Sequence, residues 1–317
     1  MAYRRFETKW IYLVKTLSQK VFKIVYIKNE GKFNENTYLI DGIPLFGAQE
    51  SVAVYAIENE GETMLIDTSF SLMARRIILK LKEFGIYPAQ KILLTHSHFD
   101  HIQGVNRLKR LMKDIDIKVF ASSNAIKHLK SPNFMNDPFE AKVKPFENAI
   151  PLNEGDTIDL NGLELKILNF FGHTMDSIAV FDKKNKNIFV GDAIMNKRKD
   201  YYQGTFMPPE FHEPELLTTF QKLRNINNQL DSISLSHYGV WTGKDFKQIV
   251  KDMEEVHFST KNAIINWYNE NPSLNYIAKK YIDTFTPNAN RYRGKNIELL
   301  EGTMSWFLEG LRRSGII

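Results

Sequence analysis

The segment that decides the fold is His96-Ser97-His98-Phe99-Asp100-His101, which follows the apolar run Lys91-Ile92-Leu93-Leu94-Thr95. It holds four side chains that can bind a metal within six residues. Side chains alternate along an extended segment, so His96 and His98 point the same way and can share one ion. Asp100 stands where a helix is predicted to begin, a favourable N-cap position, and His101 follows in the first turn. The spacing predicts that Asp100 and His101 face a second ion.

Three further residues of ligand type each follow a strand-like run. His173 comes after residues 165–170, Asp192 after residues 188–191, and His237 after residues 233–236. Taken singly they read as a turn histidine, a strand-terminal aspartate and a buried histidine. Functional groups converge at strand ends in layered α/β architectures. The ordered recurrence of these residues therefore favours one common site.

The composition bounds the class of protein. The chain has 317 residues, of which 43% are hydrophobic, so a sizeable core can form and wholesale disorder is excluded. No apolar run approaches the roughly 18 residues of a membrane span. We expect neither a signal peptide nor membrane association, and predict a cytoplasmic protein, because charged residues interrupt the N-terminal segment: Arg4, Arg5, Glu7, Lys9 and Lys15.

Cysteine is absent from the chain, which excludes disulfides, thiolate zinc sites and cysteine nucleophiles. Any metal must therefore be held by histidine and carboxylate. Lysine and arginine number 42 against 37 acidic residues, a net charge of +5. This surplus is mild and spread along the chain, so it gives only weak support for a nucleic-acid partner.

The chain is predicted to contain two groups of strands with helices outside them. Strands are expected at residues 21–27, 51–57, 63–67, 91–95, 118–120, 157–160, 163–169, 177–181, 187–191 and 232–236. Helices are expected at residues 71–84, after Asp100 (burying Ile102, Val105, Leu108 and Met112), near 123–129 and at 213–229. This pattern predicts an α/β fold, an αββα sandwich of two packed sheets covered by helices.

A change of character near residue 243 suggests two parts. Residues 1–243 are predicted to form the αββα domain, with residues 1–20 as an N-terminal extension. Residues 244–317 show helical periodicity only and are predicted to form a helical C-terminal region.

Together, these motifs resemble the metallo-beta-lactamase-fold hydrolase superfamily over about residues 50–240. The resemblance implies seven metal ligands: His96, His98 and His173 on a first metal, Asp100, His101 and His237 on a second, and Asp192 bridging them. It also implies that Asp67, which ends the strand-like run Met64-Leu65-Ile66, orients a ligand histidine through its free ring nitrogen. The alternative role for Asp67 is to cap the turn at Thr68-Ser69.

The resemblance also narrows the branch of the superfamily. Asp192 and the lack of cysteine are similar to the glyoxalase II, RNase Z and lactonase-like branches, and differ from true β-lactamases, in which a bridging Asp is absent. One departure is Gly172-His173-Thr174-Met175-Asp176-Ser177, because relatives usually carry Pro-Gly after the threonine. Met175 and Asp176 alter the turn and leave the ligand His173 in place.

The implied activity is that of a dinuclear metal-dependent hydrolase. Nitrogen and oxygen ligands suit two zinc ions, and also iron or manganese. Two metals can lower the pKa of a bridging water to about neutral and hold hydroxide ready to attack. Asp100 would take or relay a proton. The expected substrate is a small ester, thioester or lactone.

Two other functions compete with this interpretation. A phosphodiesterase or nuclease fits the same metal site, but the chain shows neither a long inserted domain like that of β-CASP nucleases nor a Gly/Pro-rich arm like that of RNase Z. A redox protein resembling the flavodiiron family would need a flavodoxin-like domain, and none follows residue 243.

The residues around the metals leave alternatives open. Tyr238 either donates a hydrogen bond to an oxyanion or packs against a sheet. Residues of the segment after Asp192 either cover the substrate or pack: Tyr201, Tyr202, Met207, Phe211 and His212. Aromatic residues of the helical region either line the cleft or form a homodimer contact: Trp267, Tyr268, Tyr292 and Trp306. Basic residues there either bind an anionic substrate tail or are surface charges: Lys279, Lys280, Arg291, Arg293 and Lys295.

Overall fold

The structure is a computed structural model that describes residues 26–43, 49–194, 197–198, 201–202, 204–286 and 297–317. For the short strands at 197–198 and 201–202 only the backbone is described. The predicted extension over residues 1–20, most of the predicted strand at 21–27, the side chains of Tyr201 and Tyr202, and the residues Tyr292, Arg291, Arg293 and Lys295 lie outside the described residues.

Two seven-stranded sheets form the centre of the molecule. The first contains, in spatial order, β2 (Gly31–Lys32), β3 (Thr37–Asp41), β4 (Ala53–Asn59), β5 (Glu62–Ile66), β6 (Lys91–Leu94), β7 (Lys118–Ser122) and β8 (Ala149–Leu152). The second contains β1 (Tyr26–Ile27), β16 (Val240–Thr242), β15 (Ser232–Ser234), β12 (Asn187–Phe189), β11 (Ile178–Asp182), β10 (Leu163–Asn169) and β9 (Thr157–Leu160). A separate two-stranded ribbon pairs β13 (Lys197–Arg198) with β14 (Tyr201–Tyr202).

Helices cover the outer face of each sheet. Those on the first sheet are α1 (Ala74–Glu83), α2 (Phe99–Ile102), α3 (Val105–Leu111) and α4 (Ile126–Lys130), with α5 (Asn133–Asn136) following α4. Those on the second sheet are α6 (Glu213–Ile226), α7 (Gly243–Glu270), α8 (Leu274–Phe285) and α9 (Ile297–Arg313). One apolar cluster fills the space between the sheets, and one lies beneath each helical layer. The predicted αββα sandwich is confirmed.

Strand β4 shows why the sheets are buried on both faces. Val54 and Ala56 point to the helices of the first sheet, whereas Ala53, Tyr55 and Ile57 point to the second sheet. The sequence of a strand that is covered on both faces is a continuous apolar run, whereas a strand with one exposed face alternates between apolar and polar residues. This accounts for the strand's sequence, Ala-Val-Tyr-Ala-Ile.

Tyr55 connects the two sheets by a hydrogen bond. Its fully buried hydroxyl donates to the carbonyl oxygen of Leu235 at 2.8 Å. We expect Tyr55→Phe to lower the free energy of unfolding by about 0.5–1.5 kcal/mol, because Leu235 O loses this donor while it keeps the amide of Tyr238. Urea unfolding measures the change, and Tyr87→Phe, at a residue 39% exposed, is the control. Equal stability of the two variants would contradict the expectation.

The helix predicted after Asp100 is interrupted. It forms as α2 and α3, with Gly104 between them. A Cβ on Gly104 would lie 2.5 Å from the carbonyl oxygen of Thr68, so only glycine allows the Thr68 backbone to approach this closely. The predicted buried residues Ile102, Val105, Leu108 and Met112 are confirmed. Asp100 is the second residue of α2 and His98 is its N-cap, so the predicted N-cap position of Asp100 is wrong.

The helical C-terminal region packs on the second sheet. Apolar residues of α7, α8 and α9 share one buried cluster with those of α6 and of the sheet. Glu213 of α6 accepts hydrogen bonds from His257 (2.7 Å) and Lys261 (2.6 Å) of α7. The domain boundary near residue 243 stays a prediction. Among the described residues, no helix is both long enough and apolar enough to cross a membrane.

Burial of His257 makes stability depend on pH. Desolvation lowers the pKa of His257 below its usual 6.5, although the hydrogen bond to Glu213 opposes this shift. At mildly acidic pH the unfolded chain therefore binds more protons at this residue than the folded protein does. We expect the free energy of unfolding to fall as the pH decreases from about 7 to 5, by up to about 1.4 kcal/mol per pH unit from this group.

The measurement is chemical unfolding in the presence of a chelator at several pH values in that range. His257→Gln should flatten the dependence relative to the wild type. His212→Gln, at an exposed histidine, should not. Identical slopes for the wild type and His257→Gln would contradict the assignment.

Candidate metal centre

The strand ends bring all seven predicted ligands to one site. Five of them follow a strand and two lie in the short helix after β6. His96 and His98 come after β6, Asp100 and His101 lie in α2, His173 comes after β10, Asp192 after β12, and His237 after β15. Donor atoms lie within 4.8 Å of one another in three groups: His96, His98 and His173; His96, His101 and Asp192; Asp100, His101 and His237.

The first triad is a compact group of three buried histidines. Nδ1 of His98 lies 3.1 Å from Nε2 of His96 and 3.1 Å from Nε2 of His173. All three side chains are at most 3% exposed. Three ring nitrogens that converge in this way leave room for one shared ion.

Asp192 lies between the first triad and the second triad, which consists of Asp100, His101 and His237. Its Oδ2 lies 2.9 to 3.8 Å from the Nε2 atoms of four histidines: His237 (2.9 Å), His101 (3.5 Å), His173 (3.6 Å) and His96 (3.8 Å). Asp100 approaches from the other side, with Oδ1 3.6 Å from His101 Nε2 and Oδ2 3.7 Å from His237 Nε2. Asp192 is thus the one carboxylate in reach of both triads among the described residues.

Backbone carbonyls fix the orientation of three of the histidines. Nδ1 of His173 donates to Thr205 O at 2.8 Å, and Nδ1 of His237 donates to Ser51 O at 2.9 Å. Nε2 of His98 donates to Pro208 O at 3.2 Å. A carbonyl oxygen only accepts, so each of these nitrogens carries the proton. In the neutral imidazole the other ring nitrogen, which faces the cluster, then keeps its lone pair for a metal.

Asp67 plays the corresponding part for His101. Its Oδ2 accepts from His101 Nδ1 at 2.8 Å, and its two oxygens also accept from the amide and the hydroxyl of Thr95, each at 2.8 Å. Thr68 N–H donates to His101 O, also at 2.8 Å. The structure therefore brings Asp67 to a histidine of the cluster, and these contacts do not cap the turn at Thr68-Ser69.

Charge and burial shift the pKa values of the cluster in opposite directions. Desolvation lowers the pKa of His96 and of His98 well below the usual value. For His101 and His237 desolvation is the largest single effect and also acts downward, but the adjacent carboxylates, with Asp192 the strongest, together outweigh it and raise the pKa of both. The two histidines in turn hold the pKa of Asp192 well below its usual range, against the effect of burial.

Two buried atoms of the cluster have no hydrogen-bond partner among the residues that the structure describes. They are His101 Nε2 and Asp192 Oδ1, in a site where most other polar atoms are paired. Leaving such groups unpaired costs about 1–3 kcal/mol each. Metal ions bound in the cluster would give both atoms a partner, and their donors would be nitrogen and carboxylate oxygen. The residues present therefore fit a metal.

Tyr238 is the predicted catalytic residue that the structure does not bring into the cluster. Its ring is 1% exposed in the apolar layer between the sheets, and its hydroxyl donates to Lys28 O at 3.0 Å. Phe211 is buried in the core and Met207 packs on it, while the His212 side chain caps α6 by accepting from Glu215 N–H. These residues therefore follow the packing alternative.

Asp176, noted as a departure from the family pattern, connects the two segments that carry the first triad. Its buried carboxylate accepts from the hydroxyl of Ser97, which lies between His96 and His98, and from that of Thr174, next to His173. The sequence signal was the Asp itself at a position where relatives carry Gly. Its partner Ser97 gave no signal.

The match of a family model decides the affiliation. The model described as the metallo-beta-lactamase superfamily matches residues 47–230. The chain belongs to this superfamily. Curated relatives include a hydroxyacylglutathione hydrolase of Prochlorococcus marinus strain MIT 9301, 34% identical over 106 residues, which are 33% of this chain and 36% of that protein. Another is the hydroxyacylglutathione hydrolase GloC of Haemophilus influenzae, 24% identical over 213 residues, 64% of this chain and 92% of that one.

Solved structures show the same superfamily fold. A metallo-beta-lactamase family protein from Thermus thermophilus superposes with a TM-score of 0.61 at 19% identity, covering 88% of this chain and 94% of its own. Matches to two Prochlorococcus marinus hydrolases span only 36% and 50% of those proteins' lengths. The resemblance predicted from the metal motif is confirmed at the level of the superfamily and its glyoxalase II relatives.

Proposed function

We propose that this superfamily member is a dinuclear metal-dependent hydrolase that cleaves a small ester, thioester or lactone. The observation that carries the proposal is the position of Asp192, whose Oδ2 reaches nitrogens of both triads. A carboxylate at this place suits a bridge between two cations. The superfamily and its relatives supply the reaction class, and the hydrolases named for hydroxyacylglutathione favour an acyl group carried on a small thiol.

The proposed ligands are those predicted from the sequence: His96, His98 and His173 for the first metal, Asp100, His101 and His237 for the second, with Asp192 shared. Zinc is the proposed metal, with iron or manganese as alternatives that the same donors suit. When bound, a metal pair polarises the scissile carbonyl and lowers the pKa of water.

The protein's own groups supply orientation and proton transfer. Carbonyl and carboxylate partners hold the histidine rings in place, so that little reorganisation is needed during the reaction. The Asp100 side chain is 14% exposed, more than that of Asp192, so it can contact solvent or substrate. We assign to Asp100 the transfer of a proton at its carboxylate oxygen to or from the reacting group.

The test combines elemental analysis with a substrate panel. Purified protein should contain one metal equivalent per triad and should hydrolyse members of a thioester, ester and lactone panel. Chelated protein should be inactive and should recover when zinc is returned. Metal-dependent turnover confined to phosphodiesters would favour the nuclease alternative, and a protein that binds no metal would overturn the proposal.

A further inference from the structure

The loop of residues 204–209 supplies both outer hydrogen bonds that orient His98 and His173. Thr205 O accepts from His173 Nδ1, and Pro208 O accepts from His98 Nε2. Phe206 lies between these two carbonyls along the chain and is fully buried. Any force that moves the backbone at Phe206 therefore acts on both histidines.

Helix α9 lies directly against this backbone. A Cβ on Gly310 of α9 would lie 2.3 Å from Phe206 O and 2.8 Å from Phe206 C. The Phe206 ring packs on Phe307, one turn earlier on the helix, with ring centroids 4.7 Å apart. The close approach needs a residue without a side chain at position 310. The backbone of loop 204–209 therefore contacts α9 directly at Gly310.

The same helix reaches His98 by a second route. The Trp306 ring meets the Phe139 ring edge-on at a centroid distance of 5.1 Å, and Phe139 meets His98 in the same way at 5.0 Å. Trp306, Phe307 and Gly310 thus present one face of α9 to the surroundings of the first triad.

The second triad takes its outer hydrogen bonds from other parts of the fold. His101 donates to Asp67 at the end of β5, and His237 donates to Ser51 O just before β4. Neither partner belongs to loop 204–209 or to α9. A substitution at Gly310 should therefore weaken metal binding at the first triad and leave metal binding at the second triad unchanged.

We propose that helix α9 positions the first triad: its packing at Gly310 holds loop 204–209, and the carbonyls of that loop orient His98 and His173 for metal binding. This inference rests on the proposed function, since it takes the triad as a metal site. It gives α9 a role different from covering substrate or forming a homodimer, because Phe307 and Gly310 are buried inside the chain itself.

The test compares two glycines of the same helix. Gly310→Ala pushes a methyl group into Phe206 O, whereas Gly302→Ala meets no described residue within 4 Å, so it is the matched control. Each is made in two backgrounds: His237→Ala, which keeps the first triad, and His173→Ala, which keeps the second. Zinc affinity is measured by competition with a chromophoric chelator, and circular dichroism checks the fold.

We expect Gly310→Ala to weaken zinc binding at least about tenfold in the background that keeps the first triad, the scale of lost outer-ligand contacts. In the other background the change should stay within about twofold. Gly302→Ala should change neither. If Gly310→Ala does not fold, Phe206→Leu replaces it, with the same expected selectivity.

Equal weakening of both triads, or equal behaviour of Gly310→Ala and Gly302→Ala, would overturn the inference. If the wild type binds one zinc per triad and the two glycine variants have the same zinc affinity, the positioning role of α9 is wrong and the proposed function stands. If the wild type has no affinity for zinc, both the positioning role and the proposed function are wrong.

Discussion

Replacing Asp192 by alanine is expected to lower hydrolysis by about a thousandfold or more and to leave a folded protein. The Asp192 carboxylate is 8% exposed, and its Oδ2 is within 3.8 Å of four histidine nitrogens. Without it the two triads lose their shared anion. Metal-ion stabilisation of a transition state is worth several kcal/mol, and each 1.36 kcal/mol is a factor of ten in rate.

The measurement is kcat together with metal content on the protein reconstituted with zinc. Asp231→Ala is the control, because this aspartate is exposed and its Oδ2 lies 3.6 Å from Lys186 Nζ, a weak surface ion pair. We expect the control to match the wild type. Turnover and two metal equivalents retained in Asp192→Ala would show that this carboxylate is not a ligand.

The side chains of the cluster were predictable because their chemistry is specific. Histidine is rare in this chain, with eight among 317 residues, and strand ends meet at one edge of a sheet. The partners that orient them were not predictable in the same way. Ser51, Thr205 and Pro208 contribute carbonyl oxygens, which every residue carries, so the sequence holds no sign of which ones face the site.

Tyr238 shows that a neighbour in sequence is not always a neighbour in the site. It follows His237 directly, yet His237 reaches Asp192 while Tyr238 lies between the sheets. The backbone at Tyr238 has φ = 98°, a conformation uncommon for a residue with a side chain. Side-chain direction there is set by this turn, which periodicity does not reveal.

Not every strand of the fold was predicted: β12 and β15 were expected, whereas β3, β8 and β16 were not. Strand β16 has three residues, and its hydrogen bonds come from β15 and β1. So short a segment carries no measurable period. In the helix after Asp100 the spacing of apolar residues gave the correct buried face. At the interruption, His101 O accepts from the amide and the hydroxyl of Thr68, a residue distant in sequence, so periodicity within the helix does not reveal it.

Removing the Asp67 carboxylate is expected to have the next largest effect. In Asp67→Ala the second triad should lose about 10- to 100-fold in zinc affinity, because the His101 ring loses the hydrogen bond that orients it. The free energy of unfolding should fall by about 3–5 kcal/mol, since Asp67 is 1% exposed and its removal takes the acceptor from the amide of Thr95 and from His101 Nδ1.

The experiment measures zinc affinity in the His173→Ala and His237→Ala backgrounds, with urea unfolding of the metal-free proteins. Glu164→Ala, at an exposed position of β10, is the control for loss of an acidic side chain. Reduced stability with unchanged zinc affinity would mean that Asp67 only secures the local backbone. Selective weakening of the second triad requires instead that the carboxylate acts through His101. Gly310→Ala should weaken the opposite triad, so the two variants together test whether separate parts of the fold hold the two metals.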